Sequence, residues 1–220
     1  MATKSILSDL LTEIKNQNNP VLIFDFDGVI ADTEPLHEIA YNQLLSKKLC
    51  SKISLDWSRY KGNSEKIIYE MLANDFGLTL SLFEDRQKRL NNVFELIKEL
   101  RISPRSEVTA LLQSTLCETY ILSSQEGSFI QRCLVYWGLE SKFNGITSLA
   151  DKVETKQQWI SKFIGSSTSM PNQIYYFEDT PKYLVEAAKL GVATVYFGDE
   201  DAISETEVTK WIIHPNKNTL

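Results

Sequence analysis

Asp25 and Asp27 stand one residue apart directly after the apolar run Val21-Leu22-Ile23-Phe24, and Gly28 follows them. Two carboxylates that close repel each other unless a cation lies between them or they share one proton. If the chain stays extended, they point to one side while Phe26 points to the other. A buried strand that stops on such a pair delivers negative charge to a sheet edge, where open α/β folds bind their ligands. The competing reading is a surface turn built on Asp27-Gly28, but turn carboxylates seldom follow a run this apolar.

Three further polar positions lie at or near the ends of predicted strands. Glu178-Asp179 closes the run Ile174-Tyr175-Tyr176-Phe177, and Asp179 also reads as an N-cap for a helix after Pro181. Ser123 and Ser124 follow Tyr120-Ile121-Leu122 and double as cap residues. Lys156 falls in the first turn of a helix, where it opposes the helix dipole by about 0.3–1 kcal/mol and is either solvated or held by an anion. Lys152 is its rival.

The elements that must position these groups follow from periodicity. From about Glu34 to Leu100 the apolar residues recur at helical spacing: Leu36, Ile39, Ala40 and Leu44; Ile67, Ile68, Met71, Leu72 and Phe76; Leu90, Val93, Phe94, Ile97 and Leu100. After Ser103-Pro104, short apolar runs alternate with helices predicted over about 128–137, 154–164 and 182–190, with a loop over 165–171. The strands expected there are Gly145-Ile146-Thr147, Ala193 to Phe197 and an edge strand Trp211-Ile212-Ile213. Alternation of that kind predicts an α/β fold with a parallel sheet covered on both faces. The domain plan is a core of residues 1–32 and 104–220, interrupted by a helical domain of residues 33–103 that acts as a lid over Asp25 and Asp27.

Bulk properties exclude several functions. A chain of 220 residues with 43% hydrophobic content can bury a full core, and a net charge of −6 without a basic face excludes a nucleic-acid partner. No apolar stretch approaches a membrane span. Cys50, Cys117 and Cys133 are widely spaced and odd in number, which points to reduced thiols and a cytoplasmic setting. The N-terminus reads as an ordinary amphipathic helix, neither a signal nor a transit peptide. With His37 and His214 as the only histidines, a His-rich metal site is excluded, and no nucleophile elbow or phosphate loop is present.

The order of strand-Asp-x-Asp, strand-Ser, helix-Lys and strand-acidic pair resembles the haloacid dehalogenase-like hydrolase superfamily, in the group whose helical cap follows the first motif. Residues 25–37, Asp-Phe-Asp-Gly-Val-Ile-Ala-Asp-Thr-Glu-Pro-Leu-His, are similar to its first signature, and Phe177-Glu-Asp-Thr-Pro with Glu186-Ala-Ala-Lys-Leu-Gly191 to its fourth. The resemblance implies a Rossmann-like catalytic core with an inserted all-helical cap. It implies Asp25 as nucleophile, Asp27 as proton carrier, and Ser123, Ser124 and Lys156 as phosphoryl-binding groups. Magnesium would be held by Asp25, Asp27 through its backbone carbonyl, Asp179 and Glu178, the last acting through water. A second aspartate at position 27 separates this pattern from dehalogenases and phosphonate cleavers, so a small phosphorylated metabolite is the expected substrate.

The sequence departs from the family at Ser124-Gln125, where Asn is usual, at Gln157, where Pro is common, at the bulky Tyr183, and around Ser103 to Glu107, which lack the usual Pro-Gly turn. Substrate selection is expected from the cap, with Tyr60, Lys61, Gly62, Asn63, Lys66 and His37 as candidates. Arg59-Tyr-Lys-Gly-Asn-Ser64 with Thr33 and His37 also resembles β-phosphoglucomutase, which makes a sugar-phosphate mutase the alternative activity. A non-catalytic binding protein on the same scaffold is the third reading. The expected assembly is a monomer or weak homodimer.

Overall fold

The computed structural model describes residues 2–61, 63–150, 152–198 and 211–215. They form two compact units, one of residues up to Asp32 and from Pro104 onward, the other spanning Thr33–Ser103.

The first unit is a six-stranded sheet in the order β3-β2-β1-β4-β5-β6, every pairing parallel. Its strands are β1 Val21–Phe24, β2 Glu118–Ser123, β3 Gly145–Ser148, β4 Ile174–Glu178, β5 Ala193–Phe197 and β6 Trp211–Ile213. Every residue of β1 and of β4 is buried, as expected of central strands covered on both faces, whose sequences run apolar without alternation. Among the described residues, the α-helices of this unit are α1 Ala2–Lys15, α5 Ser106–Ser114, α6 Gly127–Trp137, α7 Lys156–Ser166 and α8 Pro181–Ala188. Gly165, expected in a loop, lies inside the last turn of α7.

This strand order places β1 between β2 and β4. The chain winds outward from β1 in one direction through β2 and β3, then returns to β1's other side with β4. A reversal of that kind opens a crevice at the carboxyl ends of the two central strands, the usual ligand site of open α/β sheets. Register fixes what reaches it. Phe24 pairs with Ile121 on one side and Phe177 on the other, and the Asp25 N–H extends the ladder by donating to the Phe177 carbonyl at 2.9 Å.

The second unit contains α2 Glu34–Leu49, α3 Glu65–Phe76 and α4 Glu84–Glu99. Its core gathers Tyr41, Leu45, Leu55, Tyr60, Ile68, Tyr69 and Leu72. On α2 the buried stripe is Leu36, His37, Ala40, Tyr41 and Leu45, rotated from the predicted Leu36-Ile39-Ala40-Leu44. An aromatic cluster sets that rotation: the Tyr41 ring lies 5.2 Å from Trp57 and 6.0 Å from Tyr69. Among the described residues no helix is long and apolar enough to cross a membrane. Cys50, Cys117 and Cys133 are free thiols.

Candidate active site

The loop after β1 is anchored through Phe26. Its side chain is fully buried and meets Trp137 at 5.9 Å and Phe129 at 6.1 Å, so the residues on either side face away from that apolar contact. Asp25 is 7% exposed; its Oδ1 accepts from the Phe26 N–H at 2.7 Å, and its Oδ2 meets Lys156 Nζ at 2.8 Å. The chain then turns sharply at Gly28, whose φ is +78°. Arg105 fastens this turn, donating from Nε to the Gly28 carbonyl at 2.9 Å and from its backbone N–H to the Ile30 carbonyl at 2.8 Å. Its guanidinium also pairs with Asp32 at 3.4 Å.

The last residue of β4, Glu178, has no solvent exposure. One oxygen, Oε2, takes Lys156 Nζ at 2.7 Å and the Tyr176 hydroxyl. The other accepts from the backbone N–H groups of Asp179 at 3.2 Å and Thr180 at 3.0 Å. Tyr176 and Glu178 are two apart in a strand and so share a face. The N-cap of α8 is Thr180 rather than Asp179, and Asp179 Oδ1 accepts from the Thr180 hydroxyl at 3.3 Å.

Lys156 opens α7, whose N-cap Thr155 forms a reciprocal capping box with Gln158. The cap satisfies the helix end and leaves the lysine to serve the site. Its ammonium is held by Asp25 and Glu178 and lies 4.6 Å from the centre of the Tyr183 ring, a favourable cation–π position. Tyr183 therefore covers the side of the lysine where the family pattern usually has a small residue.

Carboxylate oxygens of Asp25, Glu178 and Asp179 lie within 4.8 Å of one another. One lysine cannot neutralise that group, and the acids respond. Burial first, then the charge of Glu178, push the Asp25 carboxyl up to about 7 against the opposing pull of Lys156. Burial also raises Glu178. For Lys156 burial alone would lower the value, but Asp25 and Glu178 outweigh it and hold the amine protonated. A buried, all-oxygen, net negative group is the donor set a hard divalent cation prefers. The adjacent backbone is shaped to match: a Cβ at Gly28 would lie 2.2 Å from Asp179 Oδ2.

Gly28→Ala is therefore expected to cost about 1–3 kcal/mol through its positive φ and to displace the Asp179 carboxylate. A divalent cation held by this group should then bind on the order of 10-fold more weakly, read as a smaller response of thermal stability when magnesium is titrated. An unchanged response to magnesium would show that Asp179 has no part in holding such an ion.

Ser123 ends β2, is 2% exposed, and its Oγ accepts from the Gln125 N–H at 3.2 Å. It caps a turn, since the N-cap of α6 is Glu126. Ser124 is exposed, and Asp27 is half-buried. In the helical unit Lys61, Asn63 and Lys66 are exposed, whereas Gly62 lies outside the described residues. His37 is buried and its Nδ1 is 2.7 Å from an Arg89 Nη. A guanidinium only donates, so Nδ1 accepts, and the ring ties α2 to α4. Tyr60 is also buried, with its hydroxyl donating to Asp75 at 2.5 Å. Sequence reading did not single out Tyr176 or Arg105 as contributors to the site. Tyr176 had a local signal, the two-residue strand spacing to Glu178; Arg105 had none, because its contact at Gly28 spans 77 residues.

Curated protein sequences give no match. Among solved structures, the chain is similar to CbbY from Rhodobacter sphaeroides in complex with phosphate, with TM-score 0.73, 16% identity, and 89% of this chain and 93% of that one covered. An Entamoeba histolytica hydrolase of family IA, variant 3, gives the same four values. A β-phosphoglucomutase from Clostridium difficile gives TM-score 0.66 and 20% identity, covering 90% of this chain and 92% of that one. At these identities the likeness is one of fold. The sequence profile of the haloacid dehalogenase-like hydrolases, however, matches residues 22–197, a span that holds both acidic strand ends, Ser123 and Lys156. The chain belongs to the haloacid dehalogenase-like hydrolases.

Proposed function

We propose that the protein is a magnesium-dependent phosphatase that hydrolyses a small phosphorylated metabolite through an aspartyl-phosphate on Asp25. One observation carries this reading: Lys156 Nζ bridges Asp25 Oδ2 and Glu178 Oε2 at 2.8 and 2.7 Å, which holds beside a cation a carboxylate that could serve as nucleophile. On this reading residues 1–32 and 104–220 are the catalytic core, and residues 33–103 are the cap domain.

Asp25 attacks phosphorus, a P–O bond forms to its carboxylate, and the bond to the leaving oxygen breaks. Asp27 gives that oxygen a proton. It then takes one from water, which attacks the phosphoryl group, releasing inorganic phosphate and restoring Asp25. Such acid–base work is worth about 10²–10⁴ in rate. Ser123, Ser124 and Lys156 hold the phosphoryl oxygens, with Lys156 offsetting charge where it develops. Asp25, Asp179 and the Asp27 backbone carbonyl would hold magnesium. Glu178 already accepts four hydrogen bonds, so it lends charge and holds Lys156 in place. Bound there, magnesium supplies positive charge that offsets the carboxylates and the phosphoryl group together.

The decisive assay is a panel of phosphorylated metabolites with and without magnesium, read as released phosphate. Release that requires magnesium and stops with a chelator is the expected result; no release across the panel removes the proposal. β-Glucose 1-phosphate belongs in the panel, because glucose 6-phosphate as product would identify a mutase instead.

A further inference from the structure

Gln125 occupies the turn between β2 and α6, where the family pattern usually has a shorter amide nearby, and it is pinned on every side. Its N–H donates to Ser123 Oγ at 3.2 Å, and its carbonyl accepts from the Ser148 hydroxyl at 2.7 Å. Its side-chain Oε1 accepts from the Glu126 N–H at 3.0 Å. The remaining end, Nε2, donates to Asp27 Oδ2 at 3.1 Å. The orientation of the amide follows from chemistry. A backbone N–H can only donate, so Oε1 faces Glu126 and the amide nitrogen is the end that donates to the carboxylate.

We infer that Gln125 is a positioning residue for Asp27, aiming its carboxyl group and choosing which oxygen carries the proton. This rests on the reading of Asp27 as the proton carrier. Because Nε2 donates to Oδ2, the neutral acid places its hydrogen on Oδ1, the oxygen that must then face the leaving group. The support is rigid, since Ser123 and Ser148 end neighbouring strands and pair in register. A donor held by the sheet itself keeps Asp27 in one rotamer through both proton transfers, the kind of alignment that is worth about 10²-fold per ångström.

The test is Gln125→Met, which keeps the side-chain volume and removes the donor, with Gln125→Ala as a second variant and thermal unfolding as the check on folding. The readout is kcat/KM for a series of substituted phenyl phosphates with magnesium, because protonation matters more as the leaving phenol becomes less acidic. Wild-type protein must hydrolyse the series, since failure there defeats the phosphatase reading itself; Asp27→Asn must lose most on the poorest leaving groups, since failure there removes Asp27 as the proton carrier and overturns the inference. Given those, Gln125→Met should lose about 10- to 100-fold on the poorest leaving group and less than about 3-fold on p-nitrophenyl phosphate. It should also cost nothing further in the Asp27→Asn background. Equal losses along the series, or losses that add to those of Asp27→Asn, would assign Gln125 a merely structural role and overturn the inference.

Discussion

Asp25→Asn is expected to reduce hydrolysis of p-nitrophenyl phosphate with magnesium by at least about 10³-fold, because on the proposed mechanism the amide cannot form the aspartyl-phosphate. The same substitution will stabilise the metal-free protein at neutral pH. Asp25 is buried beside Glu178, and its carboxyl is raised from 3.8 to about 7. The folded state therefore holds that proton more tightly than the unfolded state does, so stability is lost as pH rises from about 4 to about 7. The asparagine has no proton to lose. Its advantage over the wild type should be absent near pH 4 and reach on the order of 2–4 kcal/mol above pH 7, shrinking when magnesium is added. Chemical denaturation at pH 4, 6 and 8, with a chelator present, measures it. A variant that lost activity and lost stability in parallel would mean that Asp25 is a packing residue whose charge the fold needs.

Opposite responses of activity and stability identify a site that stores repulsion for use. The buried acids are separated from solvent by the fold but not neutralised by it, since Asp25 and Glu178 share one lysine. The deficit is what a divalent cation can correct, and a phosphoryl group can then enter without adding uncompensated charge. Tyr176 belongs to the same economy of charge. Burial, then Glu178 and Asp25, raise its hydroxyl well above the usual phenol value, so it stays protonated and donates to Glu178.

How much of this was legible depended on distance along the chain. The strand ends were readable because their signal is local: four apolar residues and then Asp25, or Ile174 to Phe177 and then Glu178. The fold class followed, since alternating strands and helices leave few ways to cover a sheet. Lys156 could be placed in a first helical turn, but whether it was solvated or bound depended on Asp25, 131 residues earlier by numbering (156 − 25). The departure at Gln125 was visible as a departure, yet its meaning lay in a contact across 98 residues. Helix faces were readable only to within one position: α2 turns Tyr41 and Leu45 inward because Trp57 and Tyr69 form a pocket for an aromatic ring. Periodicity gives the width of an apolar stripe, and partners from other elements decide its centre.

The second large effect is expected at Lys156. Lys156→Met keeps much of the stem and removes the ammonium that Asp25, Glu178 and the Tyr183 ring surround. Removing one partner of a buried ion pair leaves the others uncompensated and typically costs about 3–5 kcal/mol. The sign with pH is fixed by the acids. Without the lysine, the folded-state values of Asp25 and Glu178 rise further above their ordinary range, so stability falls more steeply as pH increases. The deficit should therefore be small near pH 4, where the carboxyls are protonated, and largest at pH 8, with magnesium restoring part of it. Turnover should fall by about 10²- to 10³-fold, the scale of losing a donor aimed at developing oxyanion charge, and magnesium should not restore it. Equal destabilisation at pH 4 and pH 8 would place the contribution of Lys156 in its packing against Tyr183. A loss that grows with pH and responds to magnesium would place it in the electrostatic field that Asp25 needs in order to act.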